Sequence, residues 1–395
     1  MNMKTVETSV ESPLFYGGDG LQETKVRRMR TLMDERGLDA ILFIKHDAVR
    51  WITGFYAKGY RPFIEIEYLA LLINKGPVIL GTALSGERAR AISRSRADEV
   101  VQLGSRSTWA GTVEDILTLH GLTKGRIGFD FLTHDLDREL QNRLPKAEFV
   151  DASALWTDAT KIKEPEEIAL IRQALAITQD GMRVALETIR RPDAPREIDV
   201  AAAAEYEMRL AGSEMTPFIT NVASGPNAAI FERLATERRI NDGDMVIVDL
   251  GCVYRGYTGD FARGTVRGKA SRAQKRLYRA AWLAQQEAIH AIRPGVTCAS
   301  IDKIARDVLI QEGYGNYTMP WASGHQLGYG LHGAPVIAPG VQDVLMPGMV
   351  INIEPAACTP DQPEVGGVEI EDTVLVTENG YEMLTSFPYD EDLLS

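Results

Sequence analysis

The sequence predicts two consecutive domains, an α/β half followed by an α+β half. Its 395 residues exceed what one compact core usually supports. Short apolar runs alternate with helical stretches up to residue 151, whereas long helices separated by strand and turn patterns follow from residue 165 onward. We therefore place the boundary near residue 158, between a domain at 1–158 and a domain at 159–395.

The first domain begins with an amphipathic helix, followed by short buried strands. Residues 23–36 carry apolar side chains on one side and precede Gly37, a residue typical of helix ends. A second helix is predicted at 133–144. Short apolar runs between turn residues predict six strands, at 40–44, 68–73, 78–80, 99–103, 126–129 and 148–150.

Three long helices are predicted in the second domain. Pro165 suits the first turn of the first helix, and Glu166 and Glu167 suit its positive end. The other two are predicted at 197–211 and 273–292. Strands and tight turns lie between and after them.

Composition limits the classes of partner. A net charge of −12 argues against nucleic acid or an anionic membrane surface. Cys252, Cys298 and Cys358 contain no CxxC pair, which predicts a reducing, cytoplasmic environment and no disulfide framework. Neither a signal peptide nor an apolar run of membrane-spanning length is recognised, so no export or membrane span is expected.

Five side chains of the metal-binding type occur in order along the second domain. They are Asp249, Asp260, His325, Glu354 and Glu371. Carboxylates can bridge two hard divalent cations, and a neutral imidazole tolerates Mn, Fe, Co or Zn. We therefore hypothesise a two-metal hydrolytic site.

The two aspartates lie in consecutive strand patterns. Asp249 ends an apolar run, and Asp260 lies in the strand beyond the turn at 254–256, so a hairpin can bring both carboxylates to one face. Strand-end and turn-capping roles are the alternative, because aspartate is common there. A buried aspartate needs a partner, which favours a cation.

The two histidines lie in a glycine-rich stretch. Gly324 and Gly328 flank the segment of His325, and glycine permits close backbone approach around a ligand. A hydrogen-bonded structural role is the alternative for His325. His332 either contacts a polar group of a substrate or is a solvated loop histidine.

The glutamates lie in two further strand patterns. Glu354 ends the buried run 349–353, and alternation in 366–372 puts Glu369 and Glu371 on one face. Two acids on an inward face are costly unless a cation neutralises them. Exposure of that face to solvent is the alternative.

Together, these motifs resemble those of the M24, or pita-bread, metallopeptidases, which include Xaa-Pro aminopeptidases, Xaa-Pro dipeptidases, methionine aminopeptidases and creatinase. Residues 162–167 and 52–55 also resemble the two-domain branch of this family. The resemblance implies a pita-bread C-terminal domain preceded by a smaller, creatinase-like α/β domain, and it implies a homodimer. The motifs are Asp249 and Asp260 with ten residues between them, Gly324-His325, Ile353-Glu354-Pro355 and Ile370-Glu371-Asp372.

The resemblance also assigns roles to the ligands. Asp249 would chelate one metal ion, and Asp260 and Glu371 would bridge both ions. His325 and Glu354 would complete the coordination of the second ion. A water molecule between the two cations would be the nucleophile, with Glu354 moving its proton.

Two further residues receive substrate roles by resemblance. His332 matches the second histidine of the family, which steadies the substrate and the tetrahedral intermediate. Arg61 lies in a segment, 59–63, that resembles the creatinase stretch reaching a neighbouring subunit's pocket and contacting a small carboxylate-bearing substrate. A surface or dimer role is the alternative for Arg61.

The chain departs from the peptidase pattern at two positions. It has Phe231-Glu232 where the pattern has Pro-His, and Glu369 where the pattern has arginine. Glu232 and Glu369 add negative charge unless they are protonated or paired. A substrate with a positive group, contacted by both glutamates, is one explanation; structural ion pairs with nearby arginines are the other. The arginines nearby in sequence are Arg233, Arg238, Arg239 and Arg263.

We expect a dinuclear metallohydrolase resembling Xaa-Pro dipeptidase, which cleaves a C–N bond of a dipeptide or another small amide. The first alternative is a specialised enzyme of the same fold acting on a small, cationic metabolite, as creatinase, ectoine hydrolase and the dimethylsulfoniopropionate lyases do. The second alternative is a non-catalytic binding protein. Retention of all the ligands argues against the second alternative.

Overall fold

The structure, a computed structural model, describes residues 19–56, 68–83, 88, 91–92, 94–231 and 233–395. The chain divides into two compact units, Met1–Ala159 and Thr160–Ser395. Among the residues described, no helix is long and apolar enough to span a lipid bilayer.

The first unit is built on one mixed sheet. Its strands are β1 (Ala40–Phe43), β2 (Tyr68–Ile73), β3 (Val78–Thr82), β4 (Glu99–Gln102), β5 (Arg126–Phe129) and β6 (Glu148–Asp151). The order in the sheet is β4-β3-β2-β1-β5-β6, with β1, β2 and β3 antiparallel and the outer pairs parallel. All six predicted strands are present, and their ends differ from the prediction by at most two residues.

Five helices whose bounds lie within the described residues accompany this sheet. They are α1 (Asp19–Arg36), α2 (His46–Thr53), α3 (Trp109–Leu119), α4 (His134–Arg143) and α5 (Ser153–Thr160). Thr133 caps α4 through its side chain, as its position before the helical pattern suggests. The sequence analysis did not predict α2, α3 or α5. α2 and α5 have only eight residues each, too few to show a clear helical period.

The second unit contains five further helices. They are α6 (Pro165–Ile189), α7 (Glu197–Leu210), α8 (Arg272–His290), α9 (Cys298–Gln311) and α10 (Glu391–Leu394). Pro165 occupies the first turn of α6, and Glu164 and Glu167 form its capping box. The helix α6 begins at Pro165 as predicted, and the bounds of α7 and α8 lie within two residues of the predicted ones, whereas α9 was not predicted.

Ten strands of the second unit form three antiparallel sheets. They are β7 (Asn221–Ser224), β8 (Met245–Tyr254), β9 (Tyr257–Val266), β10 (Gly324–Gly328), β11 (Gly330–Ile337), β12 (Val350–Ile353), β13 (Ala356–Cys358), β14 (Gly367–Glu369), β15 (Asp372–Thr377) and β16 (Gly380–Met383). The sheet orders are β7-β8-β9, β11-β10-β12-β15-β16 and β13-β14.

Two large hydrophobic cores join the helices of this unit to its strands. One core joins α6 and α7 to β7, β8 and β9. The other joins α8 and α9 to β12, β14 and β15. Strand β9 contacts β10, β11, β14 and β15, which belong to the other two sheets. All three sheets of the second unit therefore meet at β9.

The segment predicted as one strand over 366–372 is divided between two sheets, although Glu369 and Glu371 are both buried. β14 ends at Glu369 and pairs with β13, whereas β15 starts at Asp372 and pairs with β12. Between them, the N–H of Glu371 donates to the carbonyl of Ala262 on β9, 3.1 Å away. Pairing with a third strand therefore divides the segment between β14 and β15.

Candidate metal centre

The hairpin of β8 and β9 presents the two aspartates on one face. Asp249 pairs with Ala262 and Gly251 pairs with Asp260, so the carboxylates are diagonal neighbours across an antiparallel ladder. Asp260 is 4% exposed, whereas Asp249 is half-buried. The turn uses Arg255 at φ 54° and Gly256 at φ 84°.

His325 faces these carboxylates from β10. Its Nε2 atom lies 3.4 Å from Oδ2 of Asp260 and 3.6 Å from Oε1 of Glu354. Its Nδ1 atom lies 3.2 Å from the carbonyl of Gln326, a contact that favours a proton on Nδ1 and leaves the lone pair of Nε2 for a cation. Asp260, His325 and Glu371 each offer one ligand atom within 4.8 Å of the others.

Glycine brings the strand of His325 close to its neighbour. A Cβ atom on Gly324 would overlap the carbonyl oxygen of Asn352 on β12. Only the absence of a side chain allows β10 and β12 to approach at that point. Gly324, next to His325, thus permits a close approach of the backbones of two strands.

Glu354 and Glu371 lie at two strand interruptions. Glu354 follows β12, and its N–H donates to the carbonyl of Ser323, 2.9 Å away. Glu371 precedes β15 and is 1% exposed. The side chain of Glu354 is 17% exposed, so the centre is more accessible at Glu354 than at Glu371.

Two asparagines, which the sequence analysis did not identify, orient these carboxylates. Asn352 donates to Oε1 of Glu371 and accepts a 2.7 Å bond from Thr373. Asn221 donates to Oδ2 of Asp249 at 3.0 Å. An amide in the otherwise apolar strand β12, two residues before Glu354, was the available signal for Asn352.

Burial makes this group of acids unfavourable without a cation. The pKa values of Asp249 and Glu371 are well above the ordinary range, first because of burial and then because of neighbouring carboxylates. Burial also raises the pKa of Glu354 to about 8, although the charge of His325 opposes the shift. For His325, burial lowers the pKa, but Asp260 and Glu354 outweigh it and raise the pKa to about 9.

The residues fit divalent metal ions. The donor set is carboxylate oxygen with one imidazole nitrogen, which suits Mn, Fe, Co or Zn. Burial beside one another opposes ionisation of these carboxylates unless a cation neutralises them. Amide hydrogen bonds from Asn221 and Asn352 use one oxygen each on Asp249 and Glu371 and leave the other oxygen for a cation.

The two histidines lie next to each other. The rings of His325 and His332 are edge to face, with their centroids 4.5 Å apart. His332 lies on β11 and is exposed. Burial of part of the ring, followed by the charge of His325, lowers its pKa.

Glu369, one of the two departures from the peptidase pattern, has an ion-pair partner. It is 3% exposed and forms an ion pair with Arg233, itself 8% exposed. Its charge is therefore compensated within the protein. Glu232 and Arg61, both predicted to contact substrate, lie outside the described residues.

The other arginines near Glu232 and Glu369 in sequence have separate partners. Arg238 pairs with Asp244, and Arg263 pairs with Asp372. Arg239 donates to the backbone carbonyls of residues 193 and 194. Of the four arginines, Arg233 is the one that pairs with Glu369.

Comparison with known proteins agrees with this arrangement. The model of metallopeptidase family M24 matches residues 169–378, and the model of the creatinase/prolidase N-terminal domain matches residues 25–159. An Xaa-Pro dipeptidase from Pyrococcus horikoshii is 31% identical over 367 residues, which cover 92% of this chain and 97% of that protein. One from Pyrococcus furiosus is 37% identical over 254 residues, covering 64% of this chain and 71% of that protein.

Solved structures show the same fold. The prolidase from Pyrococcus horikoshii OT3 has a TM-score of 0.81 at 30% identity, covering 93% of this chain and 99% of that one. An Xaa-Pro dipeptidase from Bacillus anthracis has a TM-score of 0.82 at 29% identity, with the same coverage. The predicted pita-bread domain with a creatinase-like N-terminal domain is confirmed. The chain belongs to metallopeptidase family M24.

Proposed function

We propose that this protein is a dinuclear metal-dependent dipeptidase that hydrolyses the C–N bond before proline in small peptides. The observation that carries the proposal is the convergence of Asp260, His325 and Glu371 within 4.8 Å. Glu354 lies beside His325, and Asp249 lies diagonally across the hairpin from Asp260. The names of the similar proteins, Xaa-Pro dipeptidase and prolidase, support the substrate class.

We assign the ligands as the family resemblance implies. Asp249, Asp260, His325, Glu354 and Glu371 would together hold the two ions. When bound, the cations would acidify a water molecule and polarise the scissile carbonyl. Asn352 orients Glu371, and Asn221 orients Asp249, each through an amide hydrogen bond.

Glu354 and His332 are assigned the roles of proton transfer and of stabilising the charge of the intermediate. Glu354 takes the proton of the attacking water and passes it to the leaving amine. His332, exposed beside His325, donates a hydrogen bond to the oxygen of the tetrahedral intermediate. The role of His332 does not require it to bind a cation.

The test combines metal analysis with a substrate panel. Protein purified without added metal is analysed for Mn, Fe, Co and Zn, and is then assayed with Xaa-Pro dipeptides, matched Xaa-Ala dipeptides and small cationic amides. We expect two bound ions per chain and hydrolysis of Xaa-Pro dipeptides that a chelator abolishes. Turnover of cationic amides alone would favour the specialised-enzyme alternative. Absence of both metal and turnover would favour a binding protein.

Replacing Glu354 by glutamine tests the proton-transfer role. Because general acid–base catalysis contributes roughly 10²- to 10⁴-fold, Glu354→Gln should lower kcat by about 10³-fold. The control is Glu378→Gln, a change at an exposed position in the turn after β15. A Glu354→Gln enzyme with metal bound and kcat within about threefold of wild type would exclude this role.

We further propose a cytoplasmic homodimer that uses manganese or another of the four metals. The three cysteines are buried free thiols, compatible with a reducing compartment. The dimer rests on the family resemblance. Light scattering after size-exclusion chromatography measures it, and a mass of about 44 kDa, close to the 43.6 kDa of one chain, would contradict it.

A further inference from the structure

The Arg233–Glu369 pair lies near the proposed metal centre, because β14, which ends at Glu369, contacts β8 and β9, the strands of Asp249 and Asp260. Glu369 ends β14, two residues before Glu371, and is buried. Its charge contributes, after burial, to the raised pKa values of Asp249, Glu354 and Glu371. Glu369 is therefore a sixth ligand-type group within electrostatic reach of the predicted ligands.

Arg233 is held in place on several sides. Its Nη1 donates to Oε2 of Glu369, and its Nε donates to the carbonyl of Ile230 at 3.3 Å. Its Nη2 lies 3.7 Å from the thiol of Cys358 on β13. The guanidinium also stands over the ring of Phe231, 5.7 Å from its centroid. These contacts restrict where the positive charge can lie.

The charges of the site balance only when this pair is counted as a unit. The four predicted carboxylate ligands carry four negative charges when ionised, which two divalent cations neutralise. Glu369 alone would add a fifth negative charge, and Arg233 cancels it. A buried carboxylate left unpaired within electrostatic reach of two cations would be attracted to them.

We propose that Arg233 is a positioning residue of the metal centre: by pairing with Glu369 it withholds a sixth ligand from the cations and keeps the net charge of the site matched to two divalent ions. The inference rests on the proposed dinuclear centre. It also explains how the chain tolerates glutamate where the peptidase pattern has arginine, because the positive charge is supplied from position 233 instead.

The experiment compares four proteins by isothermal titration with MnCl₂ after removal of metal with a chelator. They are the wild type, Arg233→Met, Glu369→Gln and the double variant. Arg233→Met should bind Mn²⁺ at least about tenfold more tightly, or take up a further equivalent, because a free carboxylate attracts it. Glu369→Gln should bind at least about tenfold more weakly, because an unpaired guanidinium repels it. The double variant should lie within about threefold of wild type, since both charges are gone.

Other results distinguish the possible failures. If Arg233→Met and Glu369→Gln lower the unfolding temperature but leave Mn²⁺ affinity and stoichiometry unchanged, the pair is structural only and the inference is wrong. If a single variant does not fold, the double variant decides: affinity weakened more than about tenfold overturns the inference, and affinity near wild type supports it. If the wild type binds no Mn²⁺, Zn²⁺ or Co²⁺, the proposed function itself fails.

Discussion

At the residue scale, amide side chains determine how the acids are presented to a cation. Asn352 is completely buried and links Thr373 to Glu371 in one hydrogen-bonded chain. Asn221 supplies a similar bond to Asp249. Each carboxylate is held by a neutral donor that adds no charge to the site, so orientation and charge are controlled by different residues.

Removing the amide of Asn352 should weaken metal binding. We expect Asn352→Ala to lower Mn²⁺ affinity about 10- to 100-fold, because Glu371 loses the partner that orients it. Isothermal titration measures the change. The matched control is Asn74→Ala in the first unit, whose amide donates to Asp34 and to the carbonyl of Leu38. Equal affinities for the two variants would show that Asn352 has no orienting role.

Metal binding should depend on pH through His325. Its pKa of about 9 lies above the ordinary value of 6.5, so the metal-free protein holds a proton on His325 at pH 7. This proton must leave before Nε2 can bind a cation. Apparent Mn²⁺ affinity should therefore rise between pH 6 and 9, by up to about tenfold per pH unit for each proton released.

The same shift has the opposite effect on the metal-free fold. Because the folded pKa is raised, the stability contributed by protonated His325 is complete below pH 6.5 and is lost as the pH rises through about 9.

Titration of the protein with Mn²⁺ in buffers of different ionisation enthalpy measures the protons released on metal binding. Zero release at pH 7 would contradict the assignment of His325 as a ligand.

At the element scale, the ligands are supplied where strands stop or bend. Glu354 lies between β12 and β13, and Glu371 lies between β14 and β15. Asp249 and Asp260, in contrast, lie within the continuous ladder of β8 and β9. A regular ladder sets the spacing of the aspartates, while interruptions let the glutamates turn toward them and toward β10.

A methyl group on Gly324 should separate β10 from β12. We expect Gly324→Ala to destabilise the protein by about 1–3 kcal/mol, because its Cβ would overlap the carbonyl of Asn352, and to weaken Mn²⁺ binding by moving His325. Thermal unfolding and titration measure the two effects. Gly380→Ala is the control, since a Cβ there meets no atom within 4 Å. Similar behaviour of the two variants would exclude a close-approach role for Gly324.

At the scale of the whole molecule, the proposed metal centre belongs to one of two compact units. All five predicted ligands lie in Thr160–Ser395, and they connect strands of all three sheets of that unit. A ligand that binds only the folded state stabilises what it connects. The sheet of the first unit, β1 to β6, has its own hydrophobic core.

Removal of metal should therefore destabilise the second unit more than the first. We expect a chelator to reduce amide hydrogen-exchange protection in β8, β9, β12 and β15, and to leave protection in β1 to β3 nearly unchanged. Mass spectrometry of the exchanged peptides measures both. Restoring Mn²⁺ should restore the protection. A comparable loss throughout β1 to β3 would show that the two units unfold together.

The sequence by itself determined the features that depend on local pattern. Apolar periodicity, capping residues and turns predicted most strands and the long helices, and the ten residues between Asp249 and Asp260 predicted a hairpin that presents both on one face. The order of ligand motifs then indicated the family, which the comparisons confirmed.

Only the tertiary structure decided which distant groups neutralise each other. Arg233 and Glu369 are 136 residues apart, and no local pattern connects them. Likewise, the interruption after Glu369 depends on pairing of Glu371 with β9, and the role of Asn352 depends on how β12 and β15 align. Local conformational preference acts over a few residues, whereas charge pairing and sheet register arise when distant segments pack together, so they cannot be read from the order of residues alone.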